Sequence, residues 1–279
     1  MDNKLKKKSI TIILVLMAIS LAGIILFDGH EKHETITEVM QDAVLHETNK
    51  ISLFGLVDVN PSLASGFIVT GILLLIALLI RIFVIPKFKT VPGKFQSVLE
   101  LAVGYFGNLA KSNSPHLNKF LGAYLFVAGS YIFVGTVSEL FGIQLITTHG
   151  ASMAMPAPLA DINGAISLGV LSYLVILSGG IISNGFKGVG LTLKEFSLPI
   201  SMSFRLFGAL LSGLLVTELV YYFIALSFVL PVIVGILFTL MHALIQAYVL
   251  TMLTAIFYGE VSEKTKPKEK KRKKVKAIA

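Results

Sequence analysis

Long apolar runs separated by short polar segments dominate the amino-acid sequence. Six runs are nearly free of charged side chains, namely 10–27, 66–85, 120–137, 165–182, 199–226 and 231–258. A helix needs about 20 apolar residues to cross the hydrocarbon core, and in lipid its backbone polar groups must pair within the segment. The pattern therefore predicts an all-α, polytopic membrane protein with five to six membrane helices.

A different pattern follows the second run. In the segment 94–111, apolar residues stand at positions 95, 98, 99, 102, 103, 106 and 109, with polar residues between them. This spacing gives a helix with one apolar face, typical of an interfacial helix lying on the membrane. Pro86 and Pro92–Gly93 break the helix that precedes it. The sequence thus predicts one interfacial amphipathic helix besides the membrane helices.

The last two runs predict a long tilted hairpin that crosses the membrane and returns. A run of 28 residues, such as 199–226, forms a helix about 42 Å long. This length exceeds the roughly 30 Å hydrocarbon core of a bilayer. Such a helix must tilt to keep its apolar residues in lipid.

The first run and the polar segment after it have two interpretations. A Lys-rich head before a short apolar region with small residues fits a retained membrane helix, and it also fits a cleaved signal peptide. Both interpretations place 28–64 outside. This segment contains His30, His33 and His46, but without Cys or a tight ligand cluster the histidines predict a solvated loop and no metal site.

Composition supports the membrane class. Hydrophobic residues make up 54% of the chain and charged residues 14%, whereas a soluble domain carries roughly 25% charge, so a water-soluble enzyme is excluded. The net charge of +8 comes from residues 1–8 and 260–279, whose net charges of +3 and +6 leave −1 between them. Basic tails next to apolar runs mark the cytoplasmic side of a membrane and do not predict nucleic-acid binding.

Charge also orients the membrane helices and divides the chain. Basic residues follow the second run (Arg81, Lys87, Lys89 and Lys94) and the fourth (Lys187 and Lys194), so both runs end in the cytoplasm. Alternation then places 142–164 outside. Three parts are predicted: 1–64, a membrane helix or signal peptide with an external polar segment; 65–259, the membrane domain; and 260–279, a basic cytoplasmic tail.

Ionisable residues within the apolar runs are functional candidates, because a charge at membrane depth costs several kcal/mol unless it is paired or hydrated. Arg205, Glu139 and Glu218 are such residues, and no other charged residue lies between Phe196 and Leu214. Arginine cannot escape the cost by losing its proton. Two explanations for Arg205 remain. Either its side chain extends to a membrane edge near Pro199, which lies about 9 Å away along the helix, or it pairs with an anion.

The neighbours of Arg205 favour an anion on another helix or another subunit. At 100° per residue, Ser201, Gly208, Ala209 and Ser212 share its helix face, and small residues allow a second helix to approach closely. Glu218 lies about 220° round the helix and cannot pair with Arg205. A second polar cluster contains His242 and Gln246, four residues apart, with Thr239 on the face of Gln246. Hydrogen bonding between helices is the alternative role for that cluster.

Three segments together resemble subunit a of F-type ATP synthases. The run from Pro199 to Gly213, with Arg205-Leu-Phe-Gly at its centre, is similar to the arginine helix of that family. The segment 244–256, which contains Gln246, resembles its last helix, and 155–163 resembles an external loop. They occur in the family's order and spacing, and the resemblance covers 66–260.

The resemblance implies a stator subunit that is not an enzyme by itself but an essential part of a rotary ATP synthase in the cell (inner) membrane. Implied partners are a c-ring of small two-helix subunits, each carrying a carboxylate, and the peripheral-stalk subunit b. Two offset half-channels would pass protons or Na⁺ to and from those carboxylates, Arg205 would separate the half-channels, and Gln246 would assist. No cofactor or metal is implied. The sequence has no phosphate-binding Gly loop, so ATP chemistry belongs to other subunits.

Further polar residues are predicted to line the channel, with loop or interhelical hydrogen bonding as their alternative role. They are Glu218, His242, Asp161, Asn163, Glu139, His149, Ser201 and Ser212. Those expected in the external half-channel are Glu218, Asp161, Asn163, His149 and Glu139. The sequence departs from the family at Ala209, Leu214 and Thr239, where polar residues are usual. These departures leave the ion path open, with Glu218 and His242 as replacements.

Two other classes of function compete with the rotary interpretation. A stand-alone secondary ion transporter would need an acidic partner for Arg205 within this chain, and neither a clear partner nor an inverted pair of broken helices is found. A membrane scaffold would leave Arg205 at the membrane edge.

Overall fold

A computed structural model describes residues 50–53, 57–148, 150, 152–222 and 230–263, with a few isolated positions between 11 and 37. Within these residues, five helices are long and apolar enough to cross a membrane. They match the second to sixth apolar runs and confirm the all-α, polytopic class. The first run and the basic tail beyond residue 263 lie outside the described residues.

Seven α-helices and four short strands make up the described part of the chain. The helices are α1 (Pro61–Leu79), α2 (Lys94–Asn113), α3 (Asn118–Val137), α4 (Ile162–Asn184), α5 (Phe186–Lys194), α6 (Ser197–Tyr222) and α7 (Leu230–Ser262). The strands are β1 (Ile51–Leu53), β2 (Val57–Val59), β3 (Gln144–Ile146) and β4 (Ser152–Ala154), and they pair as two antiparallel hairpins, β1 with β2 and β3 with β4.

The predicted helix break after the second run is confirmed. Helix α1 begins at Pro61, where the Asn60 side chain accepts a hydrogen bond from the Ser62 amide. It continues through a π-helical turn (Ile80–Val84) and a 3₁₀ turn that contains Pro86 before the chain becomes extended. Helix α2 then covers the segment predicted to be amphipathic. Its position at the membrane surface remains a prediction.

The two β-hairpins lie in the segments predicted to be external. The Thr148 amide donates to the Lys50 carbonyl oxygen (2.9 Å), so the end of the first segment meets the loop between α3 and α4. A Cβ at Gly135 of α3 would lie 3.4 Å from Pro158 and 3.9 Å from Val69 of α1. One end of the bundle therefore combines the start of α1, the end of α3 and the loop before α4.

The opposite end is closed by hydrogen bonds to the end of α7. His116, between α2 and α3, lies 2.9 Å from the Ser262 carbonyl oxygen through Nε2, and the Asn184 side chain donates to the Val261 and Glu263 carbonyl oxygens (both 2.9 Å). The Ser114 and Ser262 hydroxyls are 3.0 Å apart. This end contains the segments predicted to be cytoplasmic.

The core lies between α3, α4, α6 and α7, where small residues allow close helix packing. Tyr258 of α7 is fully buried, and a Cβ at Gly179 of α4 would lie 2.6 Å from its ring. A Cβ at Gly129 of α3 would lie 3.2 Å from the Thr251 methyl of α7. Helix α1, by contrast, is almost wholly exposed along its apolar length.

Helix α5 was not predicted, and it changes where α6 begins. The chain reverses at Gly185 and α5 packs back along α4, with Gly188 against the Gly180 backbone. The Tyr173 hydroxyl donates to the Thr192 carbonyl oxygen (3.0 Å). Helix α6 therefore starts beside the interior of α4.

Candidate functional site

Contact between α6 and α4 fixes the depth of Arg205. A Cβ at Gly169 would overlap the Ser203 hydroxyl and lie 3.0 Å from the Pro199 carbonyl oxygen, so these helices touch two residues before Arg205. Gly169 lies about 10 Å from the Ile162 end of α4 and about 22 Å from the Asn184 end, at 1.5 Å per residue. Arg205 thus lies beside the interior of a membrane helix.

Helix α6 has a buried stripe and an exposed face. The buried residues Leu198, Met202, Leu206 and Leu210 recur every four positions. The exposed face contains Ser201, Phe204, Arg205, Gly208 and Ser212. Since Ser203 faces α4 and Arg205 is 200° further round, the guanidinium points away from this chain's own bundle. The predicted small-residue face around Arg205 is therefore uncovered by any described part of the chain.

Arg205 has no hydrogen bond or ion pair with any described residue. The side chain of Glu218 is outside the description, but its position, thirteen residues along α6, is about 20 Å from Arg205 along the helix axis. A permanent cation at this depth is costly without an anion or water. No described residue supplies that anion.

The second predicted cluster packs against α6. A Cβ at Gly213 would lie 3.2 Å from His242 Nδ1, so the imidazole of α7 rests directly on the backbone of α6. Four residues back from Gly213 along α6 is Ala209, and four residues on from His242 along α7 is Gln246. Gln246 is therefore level with Ala209, one turn from Arg205. Gln246 is buried, and its Oε1 has no hydrogen-bond partner among the described atoms. The Gln246 oxygen therefore makes no interhelical hydrogen bond to a described residue.

Three further candidates gather at the predicted external end. Glu139 lies in the 3₁₀ turn that ends α3, one turn beyond the contact of Gly135 with Pro158. Asp161 caps α4: its Oδ1 accepts from the Asn163 amide (3.0 Å) and from the Asn163 side chain (3.3 Å). Asp161 and Asn163 thus have a structural role at the helix start. His149 lies outside the described residues.

Sequence reasoning missed two buried hydroxyls at the same end. Ser62 of α1 and Thr136 of α3 are 1% and 2% exposed, and neither hydroxyl oxygen has a partner among the described atoms. A buried polar group without a partner requires an explanation, such as a functional role or a bound water or ion. Serine and threonine in an apolar run carry no signal of their own, because a bond to the preceding turn normally satisfies them.

Comparison with known proteins gives the family of the chain. A protein-family model described as ATP synthase A chain matches residues 66–259. The chain belongs to this family. Two curated relatives named ATP synthase subunit a, from two strains of Cereibacter sphaeroides, are each 27% identical over 179 residues, which cover 60% of this chain and 69% of the relative.

Membership of the ATP synthase A chain family confirms the resemblance drawn from the sequence. The chain is a multi-pass membrane component of an ATP synthase and takes part in ion transport linked to ATP synthesis. The matched range contains Arg205 and Gln246, and it also contains the predicted candidates Glu139, Asp161 and Asn163.

Proposed function

We propose that this chain is the stator of a rotary F-type ATP synthase and passes protons or Na⁺ through two offset half-channels. Ions would enter through one half-channel, bind carboxylates of a rotating c-ring, and leave through the other. Arg205 would separate the two half-channels. The observation that carries the proposal is an exposed arginine beside the interior of α4 with no ion pair to any residue that the structure describes.

Electrostatics gives the arginine its role. A ring carboxylate facing lipid stays neutral, with a bound proton or Na⁺, because burying the bare anion costs too much. Close to Arg205 the carboxylate can ionise, since an opposite charge within about 4–6 Å favours the charged form. It then releases its ion to the exit half-channel. The same fixed cation repels ions that would otherwise leak directly between the half-channels.

Energy conversion follows from the offset between the half-channels. An ion can complete its crossing only after the ring has carried it round, so net flow requires rotation. Each elementary charge gains about 2.3 kcal/mol per 100 mV of membrane potential, and several ions must cross for each ATP made.

The two polar regions of the structure supply candidates for the channel walls. Glu139, Asp161 and Asn163, with the orphaned hydroxyls of Ser62 and Thr136, would line the external half-channel. Gln246, His242 and Glu218 would form the polar path along the α6–α7 hairpin, with Ser201 and Ser212 beside Arg205. These groups would replace the polar residues absent at Ala209, Leu214 and Thr239.

The same proposal assigns partners and orientation. The α6 face around Arg205 would meet the c-ring, and other membrane surfaces of the chain would bind the peripheral-stalk subunit b. Residues 65–259 would form the ion-translocation domain, and the basic C-terminal tail would be cytoplasmic, as expected from the distribution of Lys and Arg.

A stand-alone secondary ion transporter is the alternative, and co-purification separates the two. The rotary function predicts that the chain, extracted from its native membrane in mild detergent, co-purifies with a small two-helix protein present in many copies per chain. The chain reconstituted alone should catalyse no concentrative solute uptake. Substrate uptake by the chain without a ring protein would contradict the proposal.

A further inference from the structure

A large apolar cavity lies on the side of the bundle away from the Arg205 face. Its volume is about 870 Å³, and side chains of α1, α2, α3 and α4 line it almost entirely with hydrocarbon. Three of the lining residues, Leu74, Val103 and Val127, are 66%, 55% and 63% exposed. The cavity therefore opens towards the membrane, where a void would forfeit packing contacts.

Exposed basic residues flank one end of the cavity. Ile80 and Phe88 line it there, and the residues next to them include Arg81, Lys87 and Lys89, all exposed. Lys94 begins α2 nearby, and the Gln96 side chain bonds both the amide and the carbonyl oxygen of Lys89 (3.1 and 2.9 Å). The connection between α1 and α2 is thus held against the cavity mouth.

A single acid accompanies these cations. Glu100 lines the cavity and accepts a hydrogen bond from the Gln96 side chain (2.7 Å), and no other Asp or Glu occurs in 81–100. The segment 81–100 around this mouth thus carries four basic residues and one acid, a net charge of +3. The mouth is on the predicted cytoplasmic side, where anionic lipids concentrate.

We infer that this cavity is a binding site for an anionic phospholipid of the cytoplasmic leaflet. Its acyl chain would fill the apolar space between α1 and α3, and its phosphate would contact the basic mouth. Basic pockets between membrane helices on this side of a bilayer suit anionic headgroups. A partner helix is the competing occupant, and it would bring no phosphate to the flanking basic residues.

A photoactivatable phosphatidylglycerol with its reactive group on the acyl chain tests the site in the intact complex. Labelled peptides should include Leu74, Val103 or Val127, and an otherwise identical phosphatidylcholine should label them much less. Gly104 lines the cavity and has nothing within 4 Å of its Cβ position. Gly104→Leu should therefore fill the cavity and reduce the labelling at least tenfold.

Matched variants control for fold and for charge. Gly71→Leu adds the same side chain on α1 at an exposed position that also has open space, and it should leave the labelling unchanged. Lys87→Gln with Lys89→Gln should lower the preference for phosphatidylglycerol by roughly 30-fold, at about fivefold per Lys. Lys111→Gln with Lys119→Gln, a pair of exposed cations elsewhere, should not lower it.

Three results would overturn the lipid site. Equal labelling by the two lipids would mean that only bulk lipid contacts the cavity. Undiminished labelling of Gly104→Leu would place the bound lipid elsewhere. Capture of a partner subunit's membrane helix by a photoreactive amino acid at Val103 would mean that a protein fills the cavity.

Discussion

Replacing Arg205 with Ala is expected to abolish ion-driven ATP synthesis while the complex remains assembled. Without the cation, a ring carboxylate loses the partner that lets it ionise at membrane depth. An opposite charge shifts a carboxyl pKa by about 1–3 units, so loss of the charge costs about 10- to 1,000-fold in the ionised form. ATP synthesis in vesicles with an imposed ion gradient should fall at least tenfold, with unchanged amounts of assembled complex.

Lys194→Ala provides the matched control for this loss. Lys194 is an exposed cation at the end of α5, three residues before α6 begins, and its replacement removes the same charge from the adjoining segment. We expect ATP synthesis within about twofold of the unaltered complex. Similar residual synthesis in both variants would show that Arg205 only reaches towards the membrane edge.

The second large effect is expected from Gly208→Leu, which would obstruct the face that carries Arg205. No atom lies within 4 Å of a Cβ at Gly208, so the chain has room for the larger side chain. Leu is also the better helix former by roughly 1 kcal/mol. A neighbouring helix packed closely on this face would not have that room. Overpacking costs about 1–3 kcal/mol, which corresponds to roughly 5- to 150-fold weaker association with the c-ring.

The measurement is the amount of c-ring protein that co-purifies with the variant, together with ATP synthesis. Gly71→Leu is the control, because it makes the same change on exposed helix surface far along the chain. Loss of the ring from Gly208→Leu alone is the expected result. Normal ring content in both variants would mean that a different face of α6 meets the ring.

Membrane helices could be predicted because their signal is local. Each apolar run is long enough to identify itself, and Pro86 ends its helix through its own backbone chemistry. Helix α5 gave no such signal. Its Gly188 and Gly190 are poor helix formers, and the helix depends on packing of Gly188 against Gly180 of α4. That contact requires the tertiary structure.

The candidate site likewise combines a residue that the sequence reveals with a feature that depends on the tertiary structure. Arg205 was evident from the sequence because a solitary permanent charge in an apolar run has few explanations. Register was less predictable: the sequence does not show where the turn between α6 and α7 lies, and the contact of Gly213 with His242 places Gln246 one turn from the level of Arg205. The turn length decides this offset, and side-chain pattern does not encode it. The three-residue strands were likewise too short to show an alternating pattern.

Cross-linking from the Arg205 face tests the central claim most directly. The chain has no Cys, so Ser212→Cys introduces a single thiol on the exposed face of α6, two turns from Arg205. Paired with a Cys beside the ring carboxylate, it should form a disulfide that stops ATP synthesis, and reduction should restore activity. Gly71→Cys should form none. The account would be contradicted if Ser212→Cys failed to cross-link to the ring in complexes that synthesise ATP.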